Sequence, residues 1–94
     1  MAIRTRDLAG RLPLGRLVIT PAAAAKLTVE EVLRGLVRHA AADRGEDGPL
    51  RAAGEWSVRD GQRTISVHGP QGRRYWIITE ADRSATFVLL PLDY

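Results

Sequence analysis

Arg73-Arg74-Tyr75-Trp76-Ile77-Ile78-Thr79-Glu80-Ala81-Asp82-Arg83-Ser84-Ala85-Thr86-Phe87-Val88-Leu89-Leu90-Pro91-Leu92-Asp93-Tyr94 decides how the rest of the chain must be arranged. Tyr75 to Ile78 are aromatic or β-branched, types that fit a pleated surface, and Thr86-Phe87-Val88 repeats that chemistry. Between them, Ala81-Asp82-Arg83-Ser84 reads as a turn, because Asp and Ser can bond their own backbone and hold a bend. Period two places Tyr75, Ile77 and Thr79 on one face and Trp76, Ile78 and Glu80 on the other. Both faces are apolar at their centre, so this strand belongs inside a sheet with a layer on each side. Pro91 cannot donate to a ladder and ends the second strand.

Upstream, Arg63-Thr64-Ile65-Ser66-Val67-His68 alternates polar and apolar, the mark of a strand with one face in the core. Gly69-Pro70-Gln71-Gly72 is the turn that joins it to the closing hairpin. Pro49 to Val58 reads two ways. Leu50, Ala53 and Val58 favour one or two helical turns, the reading preferred here. Trp56-Ser57-Val58 before Asp60-Gly61 would alternatively form a strand entering a type I′ hairpin.

The main helix starts at Thr28. Thr28 and Glu31 have the spacing of a capping box, and Leu27 and Val32 that of a hydrophobic staple. Val29, Val32, Leu33, Leu36, Val37 and Ala40 then form one apolar stripe. The helix fades at Asp43-Arg44-Gly45, where Gly supplies a left-handed cap. Thr20-Pro21 opens a shorter helix of alanines, with Thr as N-cap and Pro at the first helical position. Before it, Arg16 to Ile19 is a short strand that its Pro and Gly neighbours favour for an edge.

The expected fold is α+β: a three- to four-stranded antiparallel sheet, its C-terminal part a meander, with two or three helices packed mainly on one face. Ninety-four residues make one domain. Residues 1–11 are expected to be a flexible basic arm and 12–94 the domain. Such a chain buries roughly 60–65% of its unfolded surface, one modest core.

Hydrophobic content of 45% and charged content of 27% are those of an ordinary globular protein. The chain has no Cys, which excludes disulfides, thiolate metal sites and a cysteine nucleophile. No run approaches the roughly 18–20 apolar residues of a membrane span, and the first residues lack a signal-peptide core. A cytoplasmic location without membrane contact is the expectation. The net charge of +3 falls on residues 1–19, where Arg4, Arg6, Arg11 and Arg16 face Asp7 alone. Those four arginines are the candidates for nucleic-acid contact.

Glu80, Asp82 and Arg83 cluster at the hairpin turn. Two carboxylates there could hold a cation or trade a proton, but no third ligand is supplied, so an Asp-stabilised turn with an Arg–carboxylate pair explains them better. Arg73 and Arg74 adjoin two aromatics, a pairing that can bind single-stranded nucleic acid, yet Tyr75 and Trp76 point to opposite faces. Glu80, Asp82, Arg83, Arg73 and Arg74 are therefore partner-contact candidates. His39 and His68 are the only histidines. Either could act as a general base, but a packed ring with a satisfied tip is the stronger reading. No catalytic set, metal site or cofactor is expected.

Leu14-Gly15, Ile19-Thr20-Pro21, Arg38-His39 and above all the run Trp76-Ile77-Ile78-Thr79-Glu80-Ala81-Asp82-Arg83-Ser84, with Leu89-Leu90-Pro91 and Tyr94, resemble a group of small uncharacterised proteins of bacterial plasmids and other mobile elements. The resemblance spans most of the chain from Leu12. Where that group carries a Gly-Asp-Trp-Gly-like turn, this chain has Ala42-Asp43-Arg44-Gly45, without the Trp. The resemblance implies a genomic setting. The expected function is that of a small non-enzymatic binding protein of a mobile element, acting on a host protein or protein–nucleic acid complex such as a defence machine. The alternatives are a direct nucleic-acid-binding regulator using the basic arm, and a small ribonuclease-like toxin. A homodimer through the second sheet face is also expected as a way to cover it.

Overall fold

The computed structural model describes residues 14–94, and its elements run β1 (Arg16–Ile19), α1 (Pro21–Lys26), α2 (Val29–Asp43), α3 (Gly48–Ala52), β2 (Trp56–Asp60), β3 (Arg63–His68), β4 (Tyr75–Thr79) and β5 (Ala85–Leu89), closed by a 3₁₀ turn at Pro91–Asp93. The strands form one sheet in the order β1-β5-β4-β3-β2. β2 to β5 are an antiparallel meander, and β1 lies parallel to β5, with Arg16 opposite Ala85 and Ile19 opposite Val88.

The class is α+β, as expected, but the sheet is five-stranded and mixed rather than three- to four-stranded and antiparallel. Two causes account for the difference. Trp56–Asp60 is a strand and not part of a helix: α3 stops at Ala52, and Gly54, at φ 73°, turns the chain into β2. The β2–β3 hairpin then closes through Gly61 and Gln62, both at positive φ, the type I′ geometry whose twist matches the strands. At the other edge β1 joins by a crossover from the helical layer, which makes its pairing parallel. Its entry requires Gly15, where a Cβ would lie 2.4 Å from the Arg83 carbonyl oxygen.

The helix starts are those the sequence marks. Thr20 Oγ1 accepts from the Ala23 amide at the head of α1. Thr28 Oγ1 accepts from the Glu31 amide while Glu31 Oε1 accepts from the Thr28 amide, a complete capping box on α2. Its end is a Schellman arrangement: Gly45 at φ 89°, with the Glu46 amide reaching back to the Ala41 carbonyl. The buried stripe is narrower than expected. Val32, Leu36 and Ala40 are buried, whereas Val29 and Val37 are exposed.

The main core lies between the helices and one face of the sheet, where Leu14, Ala23, Leu27, Val32 and Leu36 meet Tyr75, Ile77 and Val88. Gly35 permits this approach: a Cβ there would come within 2.5 Å of the Tyr75 hydroxyl. The central strand β4 is buried on both faces, as the closing run implies. On the opposite face Ile65, Ile78 and Leu89 form a second cluster with Trp76 and Phe87 against it, and among the described residues no helix contributes to it.

Candidate functional site

Both histidines are completely buried beneath α2, and a chain of side chains joins them. His39 Nδ1 lies 2.6 Å from Ser66 Oγ, and Ser66 Oγ lies 2.6 Å from His68 Nε2. On the other side His39 Nε2 meets Thr79 Oγ1 at 2.7 Å, Thr79 Oγ1 meets Thr86 Oγ1 at 2.7 Å, and Thr86 donates to the Leu14 carbonyl at 2.7 Å. His68 Nδ1 faces Glu55 Oε2 at 2.7 Å, off the direction of an aligned hydrogen bond, so that contact is electrostatic. Glu55 is buried as well; its carboxylate accepts from Arg38 Nε at 2.6 Å and from the Gly69 amide at 3.0 Å.

Strand pleat and helix pitch build this chain. Thr64, Ser66 and His68 share the helix-facing side of β3, opposite Thr79, Ile77 and Tyr75 of β4. The alternation in 63–68 does mark a strand with a face in the core, and the polar face is the one under the helices. Its polar residues face the helical core, and its apolar residues Ile65 and Val67 face away. Arg38 and His39 are adjacent on α2, and one reaches Glu55 while the other enters the sheet. Sequence reasoning considered the two histidines separately and missed Ser66, Thr79, Thr86 and Glu55. The available signal was a period-two row of small hydroxyl residues with a histidine on one strand.

Glu55, His68 and Ser66 have the order of a carboxylate–imidazole–hydroxyl nucleophile. Ser66 is 0% exposed, however, and its oxygen sits between two rings, so no external bond can reach it. Burial drives both imidazoles toward the neutral form: His39 is lowered to about 3, with His68 and Arg83 adding to the effect and Asp43 opposing it, and His68 to about 3, with Arg38 adding to it. Beside the network is a groove of about 290 Å³ lined by Arg38, Glu55, Gly69, Pro70 and Arg74.

The turn candidates prove to be anchored. Arg83 pairs with Asp43 through Nη2 at 2.8 Å and Nε at 3.2 Å, and its Nη1 donates to the carbonyls of Gln62, Glu80 and Ala81. Asp82 accepts from the Ser84 amide, and the Ser84 hydroxyl together with that amide holds its carboxyl below the usual carboxylate range. Glu80 is half-buried, and its backbone closes the turn to Arg83 and Ala85. Arg73 forks onto Glu31 and also donates to the Lys26 carbonyl. That guanidinium and the Thr28 amide pull Glu31 down to about 2. Arg74 donates to the Gly69 carbonyl and lines the groove. Arg4, Arg6 and Arg11 lie outside the described residues; Arg16 is exposed at the start of β1.

The remaining surface is the β2 edge of the sheet face away from the helices, whose centre at Ile65, Val67, Ile78 and Leu89 is buried. Pairing of Trp56 with Val67, Val58 with Ile65, Ile65 with Ile78 and Ile78 with Phe87 sets these side chains on one side across four strands. Trp56 is 50% and Val58 47% exposed. Tyr94 stacks obliquely on Trp76 at 4.8 Å along one margin. Arg63 and Asp60, paired with each other at 3.0 Å, mark the β2–β3 end of this face.

Compared with known protein families, with curated proteins and with solved structures, the chain finds no match in any of the three. Among the described residues no group of His, Asp and Glu could hold a metal ion, and no helix is long and apolar enough to cross a membrane.

Proposed function

We propose that this chain is a non-enzymatic binding protein that lays the helix-free face of its sheet on a host protein or protein–nucleic acid machine. The resemblance of its closing run supports a mobile-element setting, with a bacterial defence complex as the class of target. One observation carries the reading: the groups able to do chemistry are sealed inside, while Trp56 and Val58 stand half-exposed on an apolar face with a charged end. An aromatic anchor flanked by apolar and charged residues is the usual make-up of a protein interface.

The test is capture from a bacterial lysate on immobilised wild type and Trp56→Asp, each with and without nuclease, together with sedimentation of the purified chain. A protein retained by wild type, insensitive to nuclease and lost with Trp56→Asp supports the reading. Retention abolished by nuclease and by added salt would reassign the chain as a direct nucleic-acid binder. A dimer that Trp56→Asp dissociates would give the face to a second copy. Cleavage of RNA or DNA by the purified protein would overturn the non-enzymatic reading.

A further inference from the structure

The buried chain from Leu14 to Glu55 has a fixed hydrogen-bond polarity. The Leu14 carbonyl can only accept, so Thr86 spends its proton there. Thr79 must then donate to Thr86, and His39 must donate to Thr79 through Nε2. With His39 neutral, its Nδ1 accepts from Ser66, and Ser66 in turn accepts from His68 Nε2. A neutral His68 would then turn a bare Nδ1 lone pair toward the Glu55 carboxylate at 2.7 Å. The shortfall is general. Five hydrogen bonds and the unaligned approach of His68 Nδ1 to Glu55 make six close contacts, and three hydroxyls with two neutral imidazoles supply five protons, so one contact always sets lone pair against lone pair.

From this we infer that the Glu55–His68–Ser66–His39 array is a buried proton-binding site that holds one proton beyond the neutral imidazoles. Arg38 and the Gly69 amide both donate to Glu55 and occupy its oxygens as acceptors, so the proton belongs to the rings. His68 is its principal seat. The ring lies against the Glu55 carboxylate and stacks on Tyr75 with centroids 5.3 Å apart, and an aromatic face favours a cation at that range. Ser66 can pass the charge on: accepting from one ring and donating to the other, it exchanges their roles by shifting two protons. The charged groups around the array are Arg38 and Asp43 from α2, Glu55 before β2 and Arg83 from the β4–β5 turn. Desolvation opposes the added charge on either ring, and the single unmatched contact calls for one proton and no more. An imidazolium 2.7 Å from a carboxylate is a paired charge, and burial weighs far less on a pair than on an isolated ion. Glu55 lines the groove, which gives the proton its path to solvent.

The site gives stability a maximum near the unfolded imidazole pKa of about 6.5. A proton held more tightly in the folded state stabilises below about 6.5 and is lost as pH rises through its folded pKa. The second proton is refused in the folded state. That refusal stabilises above about 6.5 and is lost as pH falls below it.

The experiment is nitrogen-15 NMR of the histidine side chains in the wild type and in Ser66→Ala at about pH 6.5. Removing Ser66 leaves four contacts and four protons, so no extra proton is required. The wild type is expected to show one ring protonated on both nitrogens, or fast exchange of that form between the two rings, with His39 carrying its proton on Nε2 when His68 is charged and His68 carrying its proton on Nδ1 when His39 is charged. In Ser66→Ala both rings should be neutral, with His68 protonated on Nδ1, and the alkaline fall in stability should vanish. Two neutral rings in the wild type would overturn the inference, and so would an imidazolium unchanged in Ser66→Ala. If Ser66→Ala does not fold, the wild-type spectrum decides alone.

Discussion

The two faces of this sheet are both largely buried and differ in chemistry. The side under the helices carries Thr64, Ser66, His68, Thr79 and Thr86 among its apolar residues, and all of them are buried. The other side carries Ile65, Val67, Ile78, Phe87 and Leu89, with Trp56 and Val58 half-exposed at its edge. A buried polar face is specific, because helix and sheet must meet in the one register that satisfies each donor and acceptor. An apolar face has no such requirement. It sticks to whatever fits its shape, which suits a surface meant for another molecule.

The largest expected effect breaks the comparison if it fails. Ile77 points to the helix side and is fully enclosed; Ile78 points to the opposite side and is buried among Ile65, Leu89, Trp76 and Phe87. Ile77→Ala and Ile78→Ala should each lie within about 2–5 kcal/mol, with Ile77→Ala near the top and Ile78→Ala near the bottom. Urea denaturation reads both, and equal losses would mean that the two faces are equally well packed. Next comes Trp56→Ala, expected to cost about 2 kcal/mol or more in partner affinity while unfolding free energy moves by about 0.5 kcal/mol or less. Titration calorimetry with the captured partner, set beside a melt, checks the separation.

Thr28→Ala sharpens the contrast by loosening the cover of the polar side only. Loss of the cap should cost about 0.5–2 kcal/mol, and amide exchange should rise in α2 while β5 is spared until global unfolding. The smallest effect is electrostatic. Glu31 is ordinarily near 4.5 and is held at about 2 by Arg73, so its contribution is complete above about 4.5 and disappears as pH falls toward 2. Arg73→Ala should remove that acid-side slope, and because Arg73 is 43% exposed the effect should be about 1 kcal/mol or less.

Much of the architecture was legible because single residues carried it. Thr28 with Glu31, Thr20 with Pro21, Gly45 and the hairpin around Ala81–Ser84 each have a local physical reason to sit where they do. Trp56–Asp60 was obscure because an edge strand exposed on most of its residues has no buried face to impose period two. The parallel pairing of β1 with β5 depends on partners about 70 residues apart, and no local pattern records it. The candidate site was the least legible. Polar residues on a strand normally point to water, and only the second layer, Arg38 and His39 on α2, reveals that Thr64, Ser66 and His68 point inward.

The seating of β1 against β5 governs the order of assembly as the chain leaves the ribosome. β1 emerges early, yet the strand that receives its hydrogen bonds is the last of the five to be made. Until then Arg16–Ile19 is an open ladder, and the notch that Gly15 fits, formed by the Arg83 and Ser84 backbone, does not exist. The two helices that follow can form at once on their own caps, but the sheet must wait for its far end. β1 docking is therefore a late step in folding, and an interrupted synthesis product exposes two unpaired apolar strands to its neighbours.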